Sequence, residues 1–161
     1  MGIKRGVDMA KKVRMYGANE AVKPMSDFVL YDDDVHLKSI VSQTLAIADF
    51  TDNTGTATGY IDIETTLPAL AVPVAWKAVV STGFTGDTTA VMQVGVTGDL
   101  DKFSGVTTNS CLAAGTVGAM ALNNVALSSS AQTVRVTVTG GADFTSITAG
   151  SMVVTLYYLQ M

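Results

Sequence analysis

The residues of this 161-residue chain that could do chemistry are few: one histidine, one cysteine and several clustered aspartates. His36 follows Asp32, Asp33 and Asp34. An imidazole beside carboxylates could serve as a general base or contribute to a metal cluster. Read more simply, the acidic run is a solvated hinge, and that reading is the expectation. Cys111 has no second cysteine with which to form an intramolecular disulfide. His36 lies 75 residues upstream of it with no local signature of a catalytic pair, so Cys111 is expected as a small buried residue in a strand. Asp99 and Asp101 share one loop, and Asp49, Asp52 and Asn53 share another. Neither loop matches the twelve-residue EF-hand pattern, which leaves weak calcium binding at Asp99 and Asp101 open. One His and one Cys leave little material for a zinc site, and no glycine-rich phosphate cradle occurs. Trp76 alternates with aliphatic residues and is expected in the core, whereas Tyr60 falls on the polar side of its segment. The chain is therefore expected to be no enzyme, to hold no cofactor and to take no small-molecule substrate.

What must position these residues is an unevenly charged chain. Residues 1–25 hold Lys4, Arg5, Lys11, Lys12, Arg14 and Lys23 against two acids, a net +4, while residues 26–161 hold four basic and twelve acidic residues, a net −8. Such asymmetry reads as an interaction arm, residues 1–36, basic at first and then an acidic hinge, attached to a body over residues 37–161. Val7, Ala10, Val13 and Arg14 fall at helical spacing between Gly6 and Gly17, so the arm is expected to be extended or partly helical. A helix this short needs a surface to order it. The overall charge of −4 argues against a dedicated nucleic-acid binder. The most apolar run, Leu67–Trp76, has ten residues with two prolines and is too short to span a bilayer. No apolar run follows the early basic residues, so no signal peptide is expected.

The body is written in strands. The chain has 21 Thr and 21 Val, and its charged fraction of 15% lies below the roughly 25% usual in soluble domains. Branching at Cβ suits both residues to a pleated, half-buried surface. In Gln132–Thr139, Val134, Val136 and Val138 alternate with polar residues, which predicts a strand with one apolar face. Strands are also predicted over Ser39–Ala48, Ala57–Glu64, Val74–Ser81 and Ala90–Thr97, with a bulged or broken one in Cys111–Leu122. Leu67–Trp76 is expected to bring a Pro-containing connection into the third of these. The last predicted strand, Ser151–Gln160, is apolar on both faces: Met152, Val154, Leu156 and Tyr158 on one, Val153, Thr155, Tyr157 and Leu159 on the other. One face meets the core, and the other needs a subunit interface or the arm. Gly/Asp/Asn clusters separate the runs. The expected fold is all-β, a jelly-roll or β-sandwich body of about eight strands.

Two stretches resemble a known group. Val94–Phe103 reads as a strand, a Gly-Asp-x-Asp turn and an aromatic, and Thr148–Tyr158 reads as an Ala-Gly turn feeding a strand that ends in tyrosines. Together they resemble the capsid cement, or decoration, proteins of tailed bacteriophages, whose bodies are jelly rolls. The resemblance spans residues 37–161 loosely, and no motif of the arm matches it. It implies a virion protein that trimerises on the capsid exterior, sits where capsomers meet and binds the major capsid protein. No membrane or nucleic-acid partner is implied. The basic residues of the arm would then grip the capsid. The alternative reading is a phage fibre or spike domain, or a carbohydrate-binding β-sandwich module.

Overall fold

In the computed structural model, which describes residues 36–105, 109–120 and 127–160, the Thr/Val alternation is realised as ten antiparallel strands in two five-stranded sheets. The expected arm, apart from His36, lies outside the described residues, and so do Asp32–Asp34 and all six of the arm's basic residues. The first sheet contains β1 (His36–Val41), β2 (Leu45–Ala46), β5 (Ala71–Thr85), β8 (Gly115–Met120) and β10 (Ala149–Gln160). Its order is β1-β10-β5-β8, with β2 also paired to β10. The second contains β3 (Thr51–Asp52), β4 (Thr58–Asp62), β6 (Ala90–Gly95), β7 (Asn109–Ser110) and β9 (Arg135–Gly140) in the order β3-β4-β9-β6-β7. The pairs β1·β10, β4·β9, β5·β8 and β6·β7 nest one inside the next along the chain. One long hairpin folded over so that its halves face each other gives this nesting. The all-β reading holds, and no α-helix occurs among the described residues, only two 3-10 turns at Ile47–Asp49 and Phe144–Ser146.

Period 2 decides what is buried. Val134, Val136 and Val138 are fully buried, and they face Trp76, Ala78 and Val80 of β5 and Met152, Val154 and Leu156 of β10 across a single core. Phe50 and Phe84 meet edge to face at 6.0 Å, and Phe144 lies 6.2 Å from Phe50, so three aromatics close one part of that core. Gly59 of β4 lies directly against the Phe144 ring, where any Cβ would collide. Gly150 has φ +149° and lies against Phe84, and the β10 register shifts around it.

Three segments depart from expectation. The strand expected over Ser39–Ala48 is two strands and a 3-10 turn, so Val41 is exposed while Leu45 is buried. Ser42 is the cause: its hydroxyl accepts the Val154 N–H at 2.9 Å and donates to the Gln43 carbonyl at 2.6 Å, ending the regular ladder. Pro73 is inside β5 rather than before it. Tyr158 pairs with Pro73 and Tyr157 with Ala75, which leaves Val74 as an extra residue in a bulge, where a proline is tolerated. Cys111 is buried as expected but lies just after β7, outside any strand.

Candidate interaction face

The first sheet has a core face and an outer face, and the outer face is apolar. Register puts Val153, Thr155, Tyr157 and Leu159 of β10 in line with Leu37, Ser39 and Val41 of β1 and with Val72, Ala75, Lys77 and Val79 of β5. These are the β10 residues expected from the sequence to contact a neighbouring subunit. Val153, Tyr157 and Leu159 are half-buried, and Thr155 is covered by its cross-strand neighbours Val41 and Lys77. Leu37 is 65% exposed, Val41 54% and Val79 42%. Three exposed large aliphatics on one sheet face form a patch rather than scattered surface residues. The Lys77 ammonium lies 5.9 Å from the Tyr157 ring centroid, its stem running over the same face.

Charge is divided between the sheets. The strands of the first sheet carry Lys38 and Lys77 and no carboxylate. The eight acidic residues in the described part are Asp52 and Asp62 in strands of the second sheet and Asp49, Glu64, Asp87, Asp99, Asp101 and Asp143 in the connections.

The outer face of the second sheet is polar, and its charges pair with each other. Arg135 of β9 donates to both Asp62 carboxylate oxygens, at 2.7 and 2.8 Å, and its guanidinium lies 4.0 Å from the Tyr60 ring centroid. The hydrogen bond to Asp62 is the main cause of a guanidinium pKa raised above its ordinary value. Thr58 and Thr139 share a hydroxyl contact at 3.0 Å across the same face. Tyr60, the weaker candidate for an exposed aromatic contact, therefore has its ring engaged by Arg135 of its own chain. The sequence did not reveal this cluster, because Asp62 and Arg135 lie 73 residues apart and only the β4·β9 register brings them opposite each other.

The other chemical candidates are dispersed. His36 opens β1 opposite Gln160, which pairs with Ala71 at the start of β5, whereas the Cys111 carbonyl accepts the Phe84 N–H near the far end of that strand, so the fold does not bring the two segments together. Burial pushes the Cys111 thiol up to about 12, keeping it protonated, and its Sγ lies 3.4 Å from the Ala90 carbonyl. Asp99 closes a tight turn by exchanging backbone hydrogen bonds with Val96. Among the described residues, no three His, Cys, Asp or Glu side chains gather as a metal site would need. Trp76 is in the core, 2% exposed, and its Nε1 finds no acceptor among the described residues; Thr137 Oγ1 is likewise buried without a partner. Each such group costs about 1–3 kcal/mol. Apart from Asp62, the bonded aspartates hold backbone N–H groups of neighbouring turns. Asp87 accepts the N–H groups of Thr88, Gly141 and Ala142, and Asp143 accepts the Thr145 N–H and hydroxyl.

Comparison with solved structures gives one informative likeness. The chain is similar to a chain of the cyanophage Pam1 capsid asymmetric unit, with a TM-score of 0.50. The match covers 93% of this chain and 95% of the other at 14% sequence identity. At that identity the likeness speaks to the fold. No protein-family model matches the sequence, and no curated protein matches it.

Proposed function

We propose that this chain is a structural virion protein: a cement or decoration subunit that binds the major capsid protein on the outside of a phage head and stabilises the shell as a homotrimer, without enzymatic activity. The observation that carries the proposal is the asymmetry of the outer faces. One sheet presents Leu37, Val41, Val79, Tyr157 and Leu159 with no carboxylate in its strands, while the other has a polar face whose charges are already paired. A protein that worked alone in solution would gain nothing from that apolar face, whereas a shell component buries it. Likeness in fold to a chain from a phage capsid supports this reading, as do the resembling turns at Val94–Phe103 and Thr148–Tyr158. The basic residues Lys4, Arg5, Lys11, Lys12, Arg14 and Lys23 act in this scheme as the capsid-gripping arm.

Co-sedimentation with native particles tests the proposal. The unmodified protein is expected to pellet with the heads and to raise their resistance to heat. Tyr157→Asp and Leu159→Asp are each expected to abolish self-association or attachment, because each would bury an unpaired charge in the contact. A protein that is monomeric and also fails to bind particles would overturn the proposal.

A further inference from the structure

We infer that copies of this chain join edge to edge, with β8 of one copy pairing antiparallel to β1 of the next and the first sheet continuing from subunit to subunit. The inference deepens the proposed homo-oligomeric role of the first sheet and rests on that reading. Among the described residues, β8 has a hydrogen-bonded strand neighbour only in β5, and β1 only in β10. A sheet edge left open is normally blunted by charge, proline or a bulge, because its unpaired N–H and C=O groups template further pairing. β8 reads Gly-Thr-Val-Gly-Ala-Met, with no charge and no proline, and its Gly115, Thr116 and Gly118 are exposed. Gly115, Thr116, Val117 and Gly118 carry no side chain that blocks an added strand.

Three observations select β1 of a second copy as the occupant. The first is length and sense. Both strands have six residues. Every pairing across β1-β10-β5-β8 is antiparallel, so β1 and β5 run one way and β10 and β8 the other. Placing β1 of the next copy beside β8 continues the alternation without turning that copy over. The operation is head-to-tail and can close into a ring.

The second is charge. Pairing β1 with β1 would bring two Lys38 ammonium groups into one junction, whereas β8 brings no charge to it.

The third is side-chain size on the outer face. Leu37 and Val41 of β1 are the two most exposed large aliphatics in the described part, and both are at the rim of the sheet. The outer-face residues of β8 include Thr116 opposite Val79 and Gly118 opposite Lys77. Small residues on one rim leave room for the large ones of the other, and Val79 stands one strand further in. Joining the rims merges two exposed apolar groups into one covered stripe.

Sedimentation velocity on the full chain and two rim variants tests this. Thr116→Lys places a charge on the β8 rim, and Leu37→Lys places one on the β1 rim; both sites are exposed, so far-UV circular dichroism and melting temperature should match the unmodified chain. The unmodified protein is expected to sediment as a closed oligomer, with a threefold fall in mass to monomer for either variant if the ring has three members. Mixed in equal amounts, the two variants should form a two-chain species, because one intact β8·β1 junction remains between them. If Thr116→Lys dissociates the oligomer but Leu37→Lys does not, β8 pairs with itself and the inference is overturned. It is equally overturned if both variants keep the full mass or if the unmodified chain is a monomer. Particle binding, scored separately, distinguishes these failures from a failure of the capsid role: a monomer that still pellets with heads refutes the edge pairing and the homotrimer but not the attachment to heads.

Discussion

Asp87 shows how much one side chain does in a protein with few charges. Its carboxylate accepts three backbone N–H groups, two of them from the β9–β10 connection, and so ties that connection to the turn between β5 and β6. These hydrogen bonds, led by that from Ala142, hold its carboxyl below the ordinary value of 3.8, and the bonds from Thr145 do the same for Asp143. A depressed folded-state pKa means that the native state binds this proton less tightly than the unfolded chain does. The stabilisation is complete above the unfolded value and disappears as the pH falls through the lower folded value. Asp87→Asn should therefore be less stable than the unmodified chain at neutral pH, with the gap narrowing below about pH 4. Urea midpoints measured from pH 7 to pH 2.5 check this, and a gap that stays constant with pH would contradict it. Cys111 contrasts with Asp87: buried and held protonated, it contributes volume rather than reactivity.

At the scale of elements, the parts legible in the sequence are those in which side-chain periodicity alone sets the structure. β9 and β6 follow from their valine alternation, and the two-sided apolar pattern of β10 marks a strand that needs cover on both faces. The two-residue strands β2, β3 and β7 were not legible, because pairing with distant partners creates them and their own sequences carry no period. Pro73 misled for a related reason: a bulge, invisible in local sequence, admits proline within a strand. Of the proposed interaction face, the β10 residues were readable, but Leu37, Val41 and Val79 join them only through register. Register also imposes a tight steric condition where β4 crosses the aromatic cluster. Gly59→Ala would drive a methyl into the Phe144 ring and should cost about 1–3 kcal/mol, as overpacking does. Thermal unfolding of Gly59→Ala, Phe144→Leu and the double variant checks this. The two changes together should cost less than their sum, because the smaller Leu makes room for the methyl.

For the whole molecule, the division of charge sets how attachment should respond to salt. In the proposed attachment, the net +4 over residues 1–25 would act through electrostatics that salt screens, whereas the apolar face of the first sheet would not. Binding of the full chain to particles should weaken between 50 mM and 500 mM salt, and a chain lacking residues 1–25 should bind more weakly at low salt with a flatter dependence. Equal affinity and equal salt dependence for the two would remove the arm from the mechanism. The nested topology has a different kind of consequence, one of timing. β10 lies between β1 and β5 and pairs with both, so His36 meets Gln160 across nearly the full length of the body. On a ribosome adding about 5–20 residues each second, β1 and β5 emerge well before the strand that joins them. Until β10 is made, the first sheet has no centre, and Trp76, Ala78 and Val80 lack most of their cover. The first sheet therefore cannot close until β10 has been made, whatever has emerged before it.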